Sequence, residues 1–227
     1  MRRQELARLL DHSLLRPEAT ETEVVAGAEL TGQWGIGYYC VQPSAVSIAA
    51  DVLRDTPSKV ISVVGFPHGA DRSLVKVQAA ALAVKDGAAE IDMVMNVGKL
   101  KSGRTQAVAS EIAQVVQTVA NIPVKVIIEA CLLTDEEKVI ACRLIQEAGA
   151  AFVKTSTGFH PRGGATAADV RLLRATVGPA FGVKAAGGIR TLQDALAMLE
   201  AGANRIGTSA SAAILAALPT EPGVRDA

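Results

Sequence analysis

Lys154 and Lys184 are the residues of this 227-residue chain whose type and setting most plainly could do chemistry. Lys154 lies in Phe152-Val153-Lys154-Thr155-Ser156-Thr157-Gly158, and Lys184 in Gly182-Val183-Lys184-Ala185-Ala186-Gly187-Gly188. Each occupies a short apolar run of strand length that ends in small residues and glycine. An ammonium in a strand core must be desolvated or give up its proton. With a second cation beside it, an amine loses that proton more easily and becomes a nucleophile toward carbonyls. A free lysine titrates near about 10.4, so roughly one amine in two thousand is neutral at pH 7. Lowering that value to about 7 makes about half of them neutral, at roughly 4–5 kcal/mol. One strand lysine alone would read as an edge residue with its stem on apolar surface and its head in water. Two in matching contexts, each followed by a Gly/Ser/Thr loop, read as amine chemistry.

Strand alternation places further groups beside them, because successive residues point to opposite faces. In Glu90–Asn96 the residues Asp92, Val94 and Asn96 share a face; in Val124–Ala130 so do Lys125, Ile127 and Glu129. If those faces point inward, Asp92, Lys125, Glu129, Lys154 and Lys184 form one buried charged cluster. Lys125 and Glu129 could instead simply pair with each other.

The elements that must hold these groups are strands alternating with helices. Strand-like runs are Leu9–His12, Ile36–Val41, Lys59–Gly65, Glu90–Asn96, Val124–Ala130, Phe152–Thr155, Gly182–Ala185 and Asn204–Gly207. Helices between them have legible starts: Thr20-x-x-Glu23 and Thr134-x-x-Glu137 are capping boxes, with weaker versions at Thr166/Asp169 and Thr191/Asp194. Gly87, Gly149 and Gly202 read as helix ends, each followed by Ala and then a strand. Val- and Ile-rich runs with little alternation suit parallel strands covered on both faces. About eight such repeats in this length point to a (β/α)8 TIM barrel, class α/β, spanning 1–227 as a single domain with a tail at 218–227. An open doubly wound sheet is the alternative, but no GxGxxG follows the first strand.

Composition narrows the partners. Hydrophobic residues make up 49% and aromatics only 3%, so the core must be built from Ala, Val, Leu and Ile. Lys plus Arg and Asp plus Glu both total 23, which gives no support for nucleic acid or an anionic membrane as partner. No apolar stretch is long enough to span a bilayer. The polar start Met1-Arg2-Arg3-Gln4-Glu5 leads into a short amphipathic segment, unlike a signal-peptide core. Cys40, Cys131 and Cys142 have neither metal-ligand nor disulfide spacing, and a reducing cytoplasm is the simplest compartment.

Three loops follow the last three strands: Thr155-Ser156-Thr157-Gly158, Ala186-Gly187-Gly188 and Gly207-Thr208-Ser209, the last opening a helix predicted over Ser209–Ala217. Barrels bind phosphate there because glycines let backbone N–H groups approach oxygens and a helix end carries partial positive charge. Thr157, Gly158, Gly187, Gly188, Gly207 and Ser209 are the candidate substrate- and phosphate-binding residues. Arg190 and Arg205 could partner an anion, but each reads first as a solvated surface charge.

Six ordered segments together resemble the deoxyribose-phosphate aldolase family of Schiff-base barrels. They are Asp11-His12-Ser13-Leu14-Leu15, Val64-Gly65-Phe66-Pro67-His68-Gly69, Glu90-Ile91-Asp92-Met93-Val94-Met95-Asn96, Lys125-Val126-Ile127-Ile128-Glu129, Val153-Lys154-Thr155-Ser156-Thr157-Gly158-Phe159 and Val183-Lys184-Ala185-Ala186-Gly187-Gly188. The resemblance implies reversible cleavage of 2-deoxy-D-ribose 5-phosphate to acetaldehyde and glyceraldehyde 3-phosphate. It implies Lys154 as the Schiff-base lysine, Lys184 as the cation depressing its pKa, and Asp92 as an acid/base acting through water. It puts phosphate on Gly188 and Ser209, with Gly158 and Gly187 nearby, and implies no metal and no cofactor, the iminium being the electron sink. Asp11, Cys40, Asn96 and Lys125 are expected around the pocket, although Cys40 reads first as a buried small hydrophobe. A homodimer or homotetramer is the expected assembly. Two departures stand out: His160-Pro161-Arg162-Gly163-Gly164 where the family usually has small residues, and an ending Val224-Arg225-Asp226-Ala227 without the tyrosine some members carry. A Schiff-base aldolase for another phosphorylated sugar and a non-catalytic phosphosugar-binding barrel are the competing readings.

Overall fold

The apolar runs form strands covered on both faces. In the computed structural model, which describes residues 1–219, they are β1 (Leu10–Leu14), β2 (Tyr38–Val41), β3 (Lys59–Val64), β4 (Glu90–Val94), β5 (Val124–Ile127), β6 (Phe152–Lys154), β7 (Gly182–Ala186) and β8 (Arg205–Thr208). All pair in parallel in chain order, and β8 pairs with β1, so the sheet closes into an eight-stranded barrel. The helices are α1 (Arg3–Ala7), α2 (Glu21–Gln33), α3 (Val46–Leu53), α4 (Ser73–Lys85), α5 (Val97–Lys101), α6 (Thr105–Thr118), α7 (Asp135–Glu147), α8 (Ala167–Val177), α9 (Leu192–Glu200) and α10 (Ser211–Ala216). The TIM-barrel expectation holds. Part of the expected tail, residues 220–227, lies outside the described residues; Leu218 is tied down, its carbonyl accepting from Arg3.

The four threonine starts read from sequence are the observed ones. The hydroxyls of Thr20 and Thr134 accept from the N–H groups of Glu23 and Glu137, whose carboxylates return to the cap N–H groups. Thr191 and Asp194 form a full box as well. Each such cap is worth about 1 kcal/mol. The outward strand residues Val60, Ile91, Met93, Val126, Val153, Val183 and Ile206 are buried in the main core, each side chain contributing about 1.5–3 kcal/mol.

Several strands are shorter than expected, and each early stop has a local cause. β3 ends before Gly65, whose φ of +64° turns the chain into a cis Phe66–Pro67 bond. β4 ends before Asn96, which caps α5 by accepting from the Lys99 N–H at 2.9 Å. β5 ends before Glu129, held at φ +50° at the start of a 3-10 turn. The last helix begins at Ser211, not Ser209, because the Thr208 hydroxyl accepts from Ala210 N–H and closes a turn first.

The register sets what meets inside the barrel. Val63 pairs with Asp92, Asp92 with Lys125, Ile127 with Lys154, Lys154 with Lys184, and Lys184 with Arg205. The interior is divided. Leu15, Cys40, Ile61 and Val63 make a small apolar cluster separate from the main core, while β4 to β8, with Asp11 of β1, supply charges.

Candidate active site

A cavity of about 360 Å³ opens at the C-terminal ends of the strands, with Lys154 and Lys184 in its floor beside Asp11 and Cys40. Both lysines are buried, as is Asp92 beneath them. Asp92 Oδ2 accepts from Lys154 Nζ at 2.8 Å and from Lys184 Nζ at 2.7 Å, while Oδ1 accepts from Lys125 Nζ at 2.9 Å. Lys184 also lies 2.5 Å from Asp11 Oδ2. Gly207 makes room for this, since a Cβ there would stand 3.1 Å from Lys184 Cε.

Burial is the largest influence on Lys154 and lowers its pKa; the neighbouring Lys184 charge lowers it further, and Asp92 only partly opposes them. For Lys184 burial pulls down too, yet Asp11 and Asp92 together outweigh it and its pKa is raised. Asp92 would be pushed up by burial, but Lys125, Lys154 and Lys184 hold it well below the usual carboxylate range. One amine is therefore poised to lose its proton beside another that keeps it. Such an amine adds to carbonyl carbons, and the adjacent acid/base groups can move the protons involved. A core chosen for stability would not bury these ions, since each costs several kcal/mol to desolvate.

Three sequence expectations change here. Glu129 is not in the charged cluster and does not pair with Lys125: it accepts from the Thr157 N–H at 3.3 Å and hydroxyl at 2.5 Å. Its left-handed backbone breaks the strand parity that grouped it with Lys125. Asn96 does not line the cavity, because its carbonyl oxygen is spent on the α5 cap. Arg205 is not a solvated charge: it is 8% exposed and donates to Asp11 Oδ1 at 2.9 Å and to Glu90. Lys125 is brought to Asp92 as expected but sits below the cavity, paired also with Glu90. Glu90 and Arg205 were legible by parity, each lying two residues before Asp92 or Gly207 on the same face.

The remaining candidates gather at the cavity mouth. Thr157, Gly158, Gly187, Gly188, Gly207 and Ser209 all line it. Thr157 offers no free donor, because both its N–H and its hydroxyl are given to Glu129. Gly187, at φ +89°, is packed between Gly158 and Gly164: a Cβ would lie 3.1 Å and 3.0 Å from their Cα atoms. The Gly187 carbonyl accepts from Ala165 N–H, which seats the His160–Gly164 loop on the β7–α9 turn. Gly188, by contrast, is exposed and has open space where a Cβ would stand. Arg190 lies on the exposed rim, as expected. Cys40 packs with Leu15, Ile61 and Val63, and burial pushes its thiol up to about 11, so it behaves as a small hydrophobe. Phe159, Leu15 and Arg16 also line the cavity and were not singled out in the sequence. Phe159 meets Phe66 edge-on, ring centres 5.2 Å apart.

The closed (β/α)8 barrel carries paired buried lysines in the floor of its C-terminal cavity, and the class of protein it matches is the barrel aldolases. The chain belongs to the DeoC/LacD family of aldolases, whose family model matches residues 7–217. It is 53% identical over 213 residues to a deoxyribose-phosphate aldolase of Caldanaerobacter subterraneus subsp. tengcongensis, covering 92% of each chain. It is 51% identical over 225 residues to that of Thermococcus kodakarensis, covering 97% of this chain and all of the relative. Among solved structures, a deoxyribose phosphate aldolase of Aeropyrum pernix described as tetrameric superposes with a TM-score of 0.87 at 33% identity, covering 94% of this chain and 91% of that one. A putative deoxyribose-phosphate aldolase of Coccidioides immitis gives 0.93 at 36%, covering 95% and 86%.

Proposed function

We propose that the chain cleaves 2-deoxy-D-ribose 5-phosphate reversibly to acetaldehyde and D-glyceraldehyde 3-phosphate through an imine on Lys154. The observation that carries this reading is the shared Asp92 oxygen, with Lys184 holding a second carboxylate and Lys154 none among the described residues. Neutral Lys154 adds to the C1 aldehyde of the open sugar, and water leaves to give the iminium. The C3 hydroxyl loses its proton to Asp92 through water, the C2–C3 bond breaks, and its electron pair flows to the iminium nitrogen. Glyceraldehyde 3-phosphate departs. The enamine takes a proton at C2, and water releases acetaldehyde and restores Lys154. Lys184 stays charged and relays protons.

The phosphate is held by backbone N–H groups around Gly188 and Ser209, with Gly158, Gly187 and Gly207 lining the same cavity mouth. The open space over Gly188 supports this. We read the chain as one barrel domain and a homo-oligomer, in line with the tetramer described for the Aeropyrum pernix protein. Among the described residues no helix is long and apolar enough to cross a membrane. The free cysteines Cys40, Cys131 and Cys142 support a cytoplasmic setting.

Borohydride reduction with acetaldehyde, followed by peptide mapping, should add the reduced two-carbon unit to Lys154. An adduct on Lys184 or Lys125 would reverse the assignment. A parallel retro-aldol assay should show turnover of 2-deoxyribose 5-phosphate well above ribose 5-phosphate; the opposite preference would give the site to another sugar phosphate.

A further inference from the structure

The buried charges of the barrel form a closed ring of alternating sign. Arg205 donates to Asp11 Oδ1; Asp11 Oδ2 meets Lys184; Lys184 donates to Asp92 Oδ2. Asp92 Oδ1 accepts from Lys125, Lys125 pairs with Glu90, and Glu90 returns to Arg205 at 3.4 Å. Three cations and three carboxylates close on themselves, and each ring member touches two of opposite sign. Lys154 hangs from Asp92 as a seventh group, outside the ring. The joint between first and last strand is made by Arg205, whose guanidinium also stacks 3.7 Å from the centre of the Tyr38 ring.

We propose that Arg205 is a positioning residue of this site: by closing the ring it makes the buried charges balance when Lys154 carries no proton. The idea rests on the reading of Lys154 as the nucleophile. With all seven groups charged the interior holds one excess positive charge, which is expensive in a dry barrel. Giving up the Lys154 proton removes it. Without the Arg205 charge, balance would instead require Lys154 to keep its proton. Arg205 does not touch the cavity, so it would act through Asp11 and Glu90 alone. Other groups facing this interior are Tyr38 and Cys40 from β2; β3 supplies Ile61 and Val63, and its Lys59 is exposed.

The test reads the Lys154 amine directly, independent of any aldolase turnover. Reductive methylation with formaldehyde and cyanoborohydride, followed by peptide mapping across pH 6 to 10, gives the pH at which Lys154 becomes reactive. In Arg205→Met that midpoint should rise by about one unit or more, and in Arg205→Lys it should stay near native. In Glu90→Gln, which removes an anion from the next ring position, it should fall. The double variant Arg205→Met/Glu90→Gln should return toward native. Opposite shifts from adjacent positions cannot come from general loosening of the fold. If Arg205→Met does not fold, the Glu90→Gln shift and the double variant carry the test. An unmoved midpoint in the folded variants, or a rise in both single variants, would overturn the proposal. Failure of the sugar phosphate to be trapped on Lys154 would overturn only the assignment of the nucleophile.

Discussion

Lys154 and Lys184 donate to the same oxygen of Asp92, at 2.8 and 2.7 Å, but only Lys184 also has Asp11. One carboxylate oxygen cannot neutralise two ammoniums. The lysine with the second carboxylate keeps its proton, and the other has its pKa lowered by burial and by that neighbour's charge. The opposite pKa shifts of two chemically identical residues are thus set by which of them reaches Asp11 on β1.

Lys184→Leu should raise the pKa of Lys154 by leaving Asp92 Oδ2 to it alone. Activity at neutral pH should fall at least tenfold and recover partly in alkali. The acid limb of the rate profile is the measurement, and an unchanged limb with full activity would refute the electrostatic role. The variant should also melt earlier, because Asp11 Oδ2 loses its buried partner, a loss of about 3–5 kcal/mol.

Asp92→Asn should separate imine formation from turnover. Removing the anion favours a neutral Lys154 still further, so borohydride trapping at neutral pH should persist. Turnover should drop by roughly 10²–10⁴, the scale of a lost acid/base group. Near-native turnover would make Asp92 only a structural partner of the lysines.

His12 faces away from the cavity, where it stacks on Tyr39 and its Nδ1 lies 3.2 Å from the Ser211 hydroxyl. Burial pushes its pKa down to about 4. Above about 6.5 neither folded nor unfolded chain protonates it, and its contribution is constant. As pH falls from about 6.5 toward 4, the unfolded chain takes a proton that the folded one refuses, so stability declines. The slope is at most about 1.4 kcal/mol per pH unit. Urea midpoints at pH 7 and pH 5 should show this loss in the native chain, and it should be smaller in His12→Gln. An equal loss in both would assign it to other groups.

Gly188→Val should weaken phosphorylated substrate far more than unphosphorylated 2-deoxyribose, since the reacting ends of the two sugars are the same. The added side chain would fill the open space over Gly188 and strain a backbone at φ +80°. The ratio of kcat/KM for the two sugars is the readout. If both fall in proportion, Gly188 serves folding and phosphate lies elsewhere, with Arg162 of the adjoining loop the next candidate.

Much of this molecule was legible along the chain. Val- and Ile-rich runs need covering on both faces, and Thr20, Thr134, Thr166 and Thr191 mark helix starts by chemistry that acts within four residues. Strand parity grouped Asp92 with Val94 and Lys125 with Ile127, and local context set Lys154 and Lys184 in matching runs, so one buried cluster followed only if those faces point inward. Parity fails where the backbone leaves the strand, as at Glu129 with its φ of +50° and at Asn96, which turns to cap a helix. Nor can it say which charges from distant strands meet. Arg205 resembled a surface residue until closure of β8 on β1 brought it to Asp11, 194 positions earlier. Neighbouring residues fix whether a side chain points inward. Its height in the barrel, and so its partner, is set by the register of all eight strands at once, and only the tertiary structure decides that.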